Sequence, residues 1–165
     1  MQNAKNPLIF IIEDNPIYNE LITGVLRSKK FKNIHSFKSA EECLKKIDQN
    51  PNIVILDYSF TGINGLELMR RVHETKPATD FIFLSAQNDV EIAVKIVKLG
   101  AFDYIVKNEK APEKLLKSIN DAISVTKKVN LKKGMKKGVV LFFVLLTIII
   151  MIIFSLTIFV EDFRF

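Results

Sequence analysis

Leu8-Ile9-Phe10-Ile11-Ile12 is a run of apolar residues with no polar alternation, and Ile53-Val54-Ile55-Leu56 and Phe81-Ile82-Phe83-Leu84 repeat it. A strand with one wet face alternates apolar and polar side chains. One that is apolar throughout is buried on both faces, the condition of a parallel sheet covered by helices. The segments between these runs carry helical stripes. Pro16 opens one with Ile17, Tyr18, Leu21, Ile22, Val25 and Leu26, with Pro in its first turn. Ala40, Cys43, Leu44 and Ile47 form a second, with Ser39 and Glu42 in capping-box spacing. Gly62 and Gly65 lead into a third, from about Leu66 to Glu74. Val90, Ala93, Val94 and Val97 mark a fourth, closed by Gly100. Leu115, Leu116, Ile119, Ala122 and Ile123 mark a fifth. With short strands at Ile34–Phe37 and Tyr104–Val106, the pattern is five βα units, hence a mostly parallel sheet with helices on both faces.

In such sheets ligands bind beyond the carboxyl ends of the strands. The residues there are Glu13 and Asp14 after the first strand, Asp57 after the third, Ser85 after the fourth and Lys107 after the fifth. Three carboxylates on one rim repel each other. A divalent cation removes that cost, and an all-oxygen set of few carboxylates suits Mg²⁺. A phosphoryl group completes the arrangement, its oxygens neutralised by the metal and by Lys107 and hydrogen-bonded by Ser85. One carboxylate is then the nucleophile and forms an acyl phosphate. Asp57, alone at its strand end, is the candidate. Singly, each residue has a plainer reading: acids ahead of a helix N-terminus, a turn aspartate, a strand-end hydroxyl, a solvated lysine. Their convergence is what points to a site.

These residues, with Gly65 eight positions after Asp57, the Ser85-Ala86 pair and the stretch Gly100-Ala101-Phe102-Asp103-Tyr104-Ile105-Val106-Lys107, resemble the CheY-like receiver domain of bacterial two-component response regulators. The resemblance covers about residues 7 to 126. It implies an α/β, flavodoxin-like (βα)5 doubly wound sheet with strand order 2-1-3-4-5. It implies that Asp57 accepts a phosphoryl group from a histidine kinase or phosphotransfer protein. Asp14, Asp57 and the main-chain carbonyl of Ser59 would hold Mg²⁺, with Glu13 assisting through water. Ser85 and Tyr104 fall at positions whose side chains shift on phosphorylation, and a half-buried structural role for Tyr104 stays equally open. Lys107 falls at the phosphate-binding lysine. The chain departs from the family pattern at Phe60 and Thr61, where Met-Pro is usual, and at Asn108, where Pro is usual. Haloacid-dehalogenase-type phosphatases also use Asp and Mg²⁺ but need a second Asp two residues on, where this chain has Ser59. The expectation is a phosphoacceptor limited to autophosphorylation from small donors and slow autodephosphorylation, not an independent enzyme.

Val139 to Val160 carries no charge, and only Thr147, Ser155 and Thr157 interrupt its apolar side chains. As a helix it spans about 33 Å, against a hydrocarbon core of about 30 Å. A transmembrane helix is expected over 138–160; the plainer alternative is a buried terminal helix. The net charge of the chain, +6, belongs almost wholly to Lys127, Lys128, Lys132, Lys133, Lys136 and Lys137, so a nucleic-acid partner is not expected. The basic juxtamembrane segment 127–137 places residues 1–126 in the cytoplasm, leaving 161–165 as a short non-cytoplasmic tail of a single-pass protein of the inner or plasma membrane. The lysines suit anionic lipid, or are simply a solvated helix end.

The function expected is a membrane-anchored single-domain response regulator, with output by phosphorylation-dependent binding of a downstream protein that the sequence does not name. The alternative is a membrane-tethered, receiver-like scaffold that binds partners without phosphorylation, supported by Phe60, Thr61 and Asn108. The single Cys43, on a helical stripe, is expected to be an inert core residue. His35 and His73 are expected on the surface.

Overall fold

The computed structural model describes residues 6–59 and 64–162, with side chains left out at 128–138 and 153–162. Five strands, β1 (Ile9–Ile12), β2 (Ile34–Phe37), β3 (Ile53–Asp57), β4 (Asp80–Ser85) and β5 (Asp103–Val106), pair in parallel in the order β2-β1-β3-β4-β5. The helices are α1 (Pro16–Ser28), α2 (Ala40–Leu44), α3 (Gly65–Thr75), α4 (Val90–Lys98) and α5 (Ala111–Asp162). This is the flavodoxin-like order expected.

Alternate residues of the apolar strands feed two separate cores. Phe10, Ile12, Val54, Leu56, Phe81 and Phe83 pack with Ala40, Cys43, Leu68, Met69, Val72 and Ile96 of α2, α3 and α4. Ile9, Ile11, Ile53, Ile55, Ile82, Leu84 and Ile105 pack with Ile22 and Leu26 of α1 and with Ala111, Leu115, Ile119 and Ala122 of α5. Because side chains alternate across a strand, an unbroken apolar run serves both layers at once. Burial pushes the Cys43 thiol up to about 12, so it is an unreactive core residue.

Two local expectations need correction, and α4 buries a face other than the residues that marked it. In α4 the buried face is Ile96, with Ile92 packed against the core, whereas Val90, Val94 and Val97 are exposed. The second helix stops at Leu44, and Ile47–Gln49 is a 3₁₀ turn. Its Ser39 hydroxyl does accept from the Glu42 amide (3.3 Å), but the Glu42 carboxylate accepts from Lys38 N (3.0 Å) and not from the cap residue itself. His73 is half-buried, edge-on to Phe81, with Nε2 2.9 Å from the Thr79 carbonyl; it braces the α3–β4 loop.

The chain divides into two compact units, Met1–Ser124 and Val125–Phe165. In the second, the apolar side chains described between Val139 and Ile152 are 40–70% exposed. Among the described residues no helix is long and apolar enough to cross a membrane. The transmembrane helix expected over 138–160 is therefore not found among them: the side chains at 138 and at 153–160 lie outside the described residues.

Candidate functional site

Parallel register brings the carboxyl ends of the central strands to one rim. Leu56 pairs with Ile12 and with Phe83, so Glu13, Asp14 and Asp57 emerge side by side. Their carboxylate oxygens lie within 4.8 Å of one another. Glu13 and Asp57 are buried and Asp14 is exposed. Lys107 enters from β5, whose register sets Val106 against Ser85 and whose Lys107 amide donates to the Ser85 carbonyl (2.7 Å). Its Nζ donates to Glu13 Oε2 (2.7 Å) and lies 2.9 Å from Asp57 Oδ2.

Burial pushes the Glu13 carboxyl above its ordinary value, with the Lys107 hydrogen bond pulling the other way. For Lys107, burial works against the charge, but the Asp57 and Glu13 carboxylates outweigh it and hold the ammonium above its usual range. Lys107 thus stays charged. It pairs with two of the three carboxylates. Asp14 has no protein partner among the described residues and is exposed.

Ser59 enters through its amide, which donates to Asp57 Oδ1 (3.1 Å). Ser85 is fully buried, and its Oγ accepts from the Gln87 amide (3.0 Å). The Tyr104 hydroxyl donates to the Gln87 carbonyl (3.0 Å), and its ring meets Tyr58 edge-on at 6.3 Å. Gln87 thereby ties the two expected switch positions together through its main chain. Asn108 holds the turn after Lys107, its Oδ1 accepting from the Lys110 amide (3.0 Å). Phe60 and Thr61 lie outside the described residues.

Two further contributors were missed in the sequence. Asn15 caps α1, its Oδ1 accepting from Ile17 N and Tyr18 N, while its own amide donates to Glu13 Oε1 (3.2 Å). An Asn before Pro at a helix start is a cap signature, and that spacing was the readable clue. Tyr18, which reads as a core residue, lays its ring 4.3 Å from the Lys107 Nζ.

This site is carried on a chain whose residues 9–120 match the family model described as "Response regulator receiver domain". The chain belongs to the response regulator receiver family. The receiver is 28% identical over 122 residues to the transcriptional regulatory protein TdiR of Thauera aromatica, covering 73% of this chain and 53% of TdiR. It is 33% identical over 99 residues to the transcriptional regulatory protein CssR of Bacillus subtilis (strain 168), covering 60% of this chain and 44% of CssR. The crystal structure of a CheY-like receiver domain protein from Methanospirillum hungatei JF-1 shares the fold. It has a TM-score of 0.66 at 23% identity, covering 74% of this chain and 98% of that one. The chain spans about half the length of the curated relatives it matches.

Proposed function

We propose that this receiver is a membrane-anchored response regulator that accepts a phosphoryl group at Asp57 from a histidine kinase or phosphotransfer protein. The observation that carries this reading is the Lys107 ammonium, held between Glu13 and Asp57 beside Asp14, which has no partner among the described residues. The donor set fits Mg²⁺, being all oxygen and close-set, with Glu13, Asp14, Asp57 and the Ser59 carbonyl as its holders. When bound, the metal would offset negative charge on the incoming phosphoryl oxygens.

The residues of the chain do the rest. One Asp57 carboxylate oxygen attacks phosphorus, a new P–O bond forms, and the bond to the donor breaks with its electron pair leaving on the donor. With acetyl phosphate the leaving group is acetate, and no proton need move. The Ser59 amide on Asp57 Oδ1 orients the nucleophile. Lys107 stabilises charge on the phosphoryl oxygens, and the Ser85 hydroxyl supplies a further donor. Output passes to a partner protein through a surface on which Val90, Val94, Val97 and Leu99 are exposed.

The anchor rests on the uncharged run Val139–Val160 and on the lysines of 127–137. An apolar stretch of this length suits a bilayer, and a lysine cluster on one flank favours the cytoplasmic leaflet and its anionic lipid. Fractionation of cells expressing the full chain should recover it in carbonate-washed membranes. The double variant Leu146→Lys, Ile149→Lys should move it to the soluble fraction; recovery of the unmodified chain as soluble protein would remove the anchor from this account. For the phosphoryl reading, the full chain incubated with Mg²⁺ and acetyl phosphate or phosphoramidate should gain the mass of one phosphoryl group, and Asp57→Asn should gain none. No gain from small donors or a cognate kinase would leave a receiver-like scaffold instead.

A further inference from the structure

Lysine is a compact charge on a flexible stem, so two carboxylates attract the Lys107 ammonium without fixing where it sits. A third wall is needed, and Tyr18 supplies it. Its ring centroid lies 4.3 Å from Nζ, well inside the range of a cation–π contact. We propose that Tyr18 is a positioning residue for phosphoryl acceptance, its ring holding the Lys107 ammonium against Glu13 and Asp57. The proposal rests on the reading of Asp57 as phosphoacceptor.

Two further observations support it. The segment from Glu13 to Tyr18 is one hydrogen-bonded piece. The Asn15 amide holds Glu13 Oε1, and the Asn15 side chain holds the amides of Ile17 and Tyr18 (3.0 and 3.1 Å). The carboxylate and the ring that flank Lys107 are therefore set by the same cap. Secondly, the Tyr18 hydroxyl is buried with no hydrogen-bond partner among the described residues. A residue serving only to fill the α1 core would be better as Leu or Phe, since a buried hydroxyl without a partner is unfavourable. The ring over the ammonium is what the position gains from an aromatic side chain.

The test uses the full chain in detergent micelles, with lysine labelled at the ε-carbon and the Lys107 resonance assigned through Lys107→Arg. In metal-free wild type the Lys107 ε-methylene protons should be shifted upfield by the ring current of Tyr18. Tyr18→Leu should return them to the ordinary lysine position and slow Mg²⁺-dependent phosphorylation by acetyl phosphate about tenfold. Tyr18→Phe should restore the shift and most of the rate, with a melting temperature at or above wild type. Ordinary ε-methylene shifts in wild type would overturn the proposal, whether or not Tyr18→Leu folds. So would a rate loss in Tyr18→Leu that leaves the Lys107 resonance unmoved, because that is the mark of a merely structural residue. If wild type takes no phosphoryl group while the resonance responds as stated, the phosphoacceptor reading fails and takes the role of Tyr18 in acceptance with it, leaving only the contact of ring and ammonium.

Discussion

Replacing Lys107 with Met should slow phosphoryl acceptance by about two to three orders of magnitude, the usual loss when one preorganised charge donor is removed. It should also lower stability by about 3 kcal/mol near neutral pH, because it leaves buried carboxylates without their cation. Met preserves most of the stem, so packing changes little. Glu13 gives the effect its pH dependence. Burial already holds its carboxyl above the ordinary value in the presence of Lys107, and removal of the ammonium raises it further. An acid whose folded value is raised favours folding while it is protonated, and that contribution is lost as pH rises through the folded value. The variant should therefore be most impaired at neutral pH and recover as pH falls toward the ordinary glutamate range. Urea melts in chelator across that range would show it. A variant equally stable at all pH values would mean that Glu13 does not face Lys107.

Asp14→Asn should abolish the response to Mg²⁺. In wild type a metal concentration about a hundredfold above its dissociation constant should add roughly 2.7 kcal/mol to stability, read as a rise in melting temperature over a chelated sample. The variant should show little rise and take phosphoryl groups from acetyl phosphate at least about a hundredfold more slowly. In chelator it should be as stable as wild type or more so, because one of three neighbouring like charges is gone. Opposite signs with and without metal separate a metal ligand from a residue that merely supports the fold.

Much of this was legible in the residues because the signals were redundant. Apolar runs with no alternation can be satisfied only by a doubly covered sheet, and a parallel sheet sends all its strand ends to one rim. Glu13, Asp14, Asp57 and Lys107 therefore met as their spacing implied. What periodicity could not resolve was which of two apolar faces a short helix buries. In α4 the stripe Val90, Val94, Val97 competes with Ile92 and Ile96, and the larger isoleucines won the core. The valines were left outside. His73 carried no pattern at all, since its contact with the Thr79 carbonyl is made across a turn. Tyr18 was hidden differently. It sits on the core stripe of α1, and only the fold shows that its ring faces Lys107, the residue after β5. Gln87 acts through its main chain, which no side-chain pattern reports.

The central claim is that Asp57 itself becomes the acyl phosphate. Sodium borohydride reduces an aspartyl phosphate to homoserine, and peptide mapping then locates the modified residue. After incubation of the full chain with Mg²⁺ and acetyl phosphate, the account predicts homoserine at position 57 and at no other aspartate. Homoserine at Asp14, or an unreduced Asp57 in a chain that has gained phosphoryl mass, would contradict it.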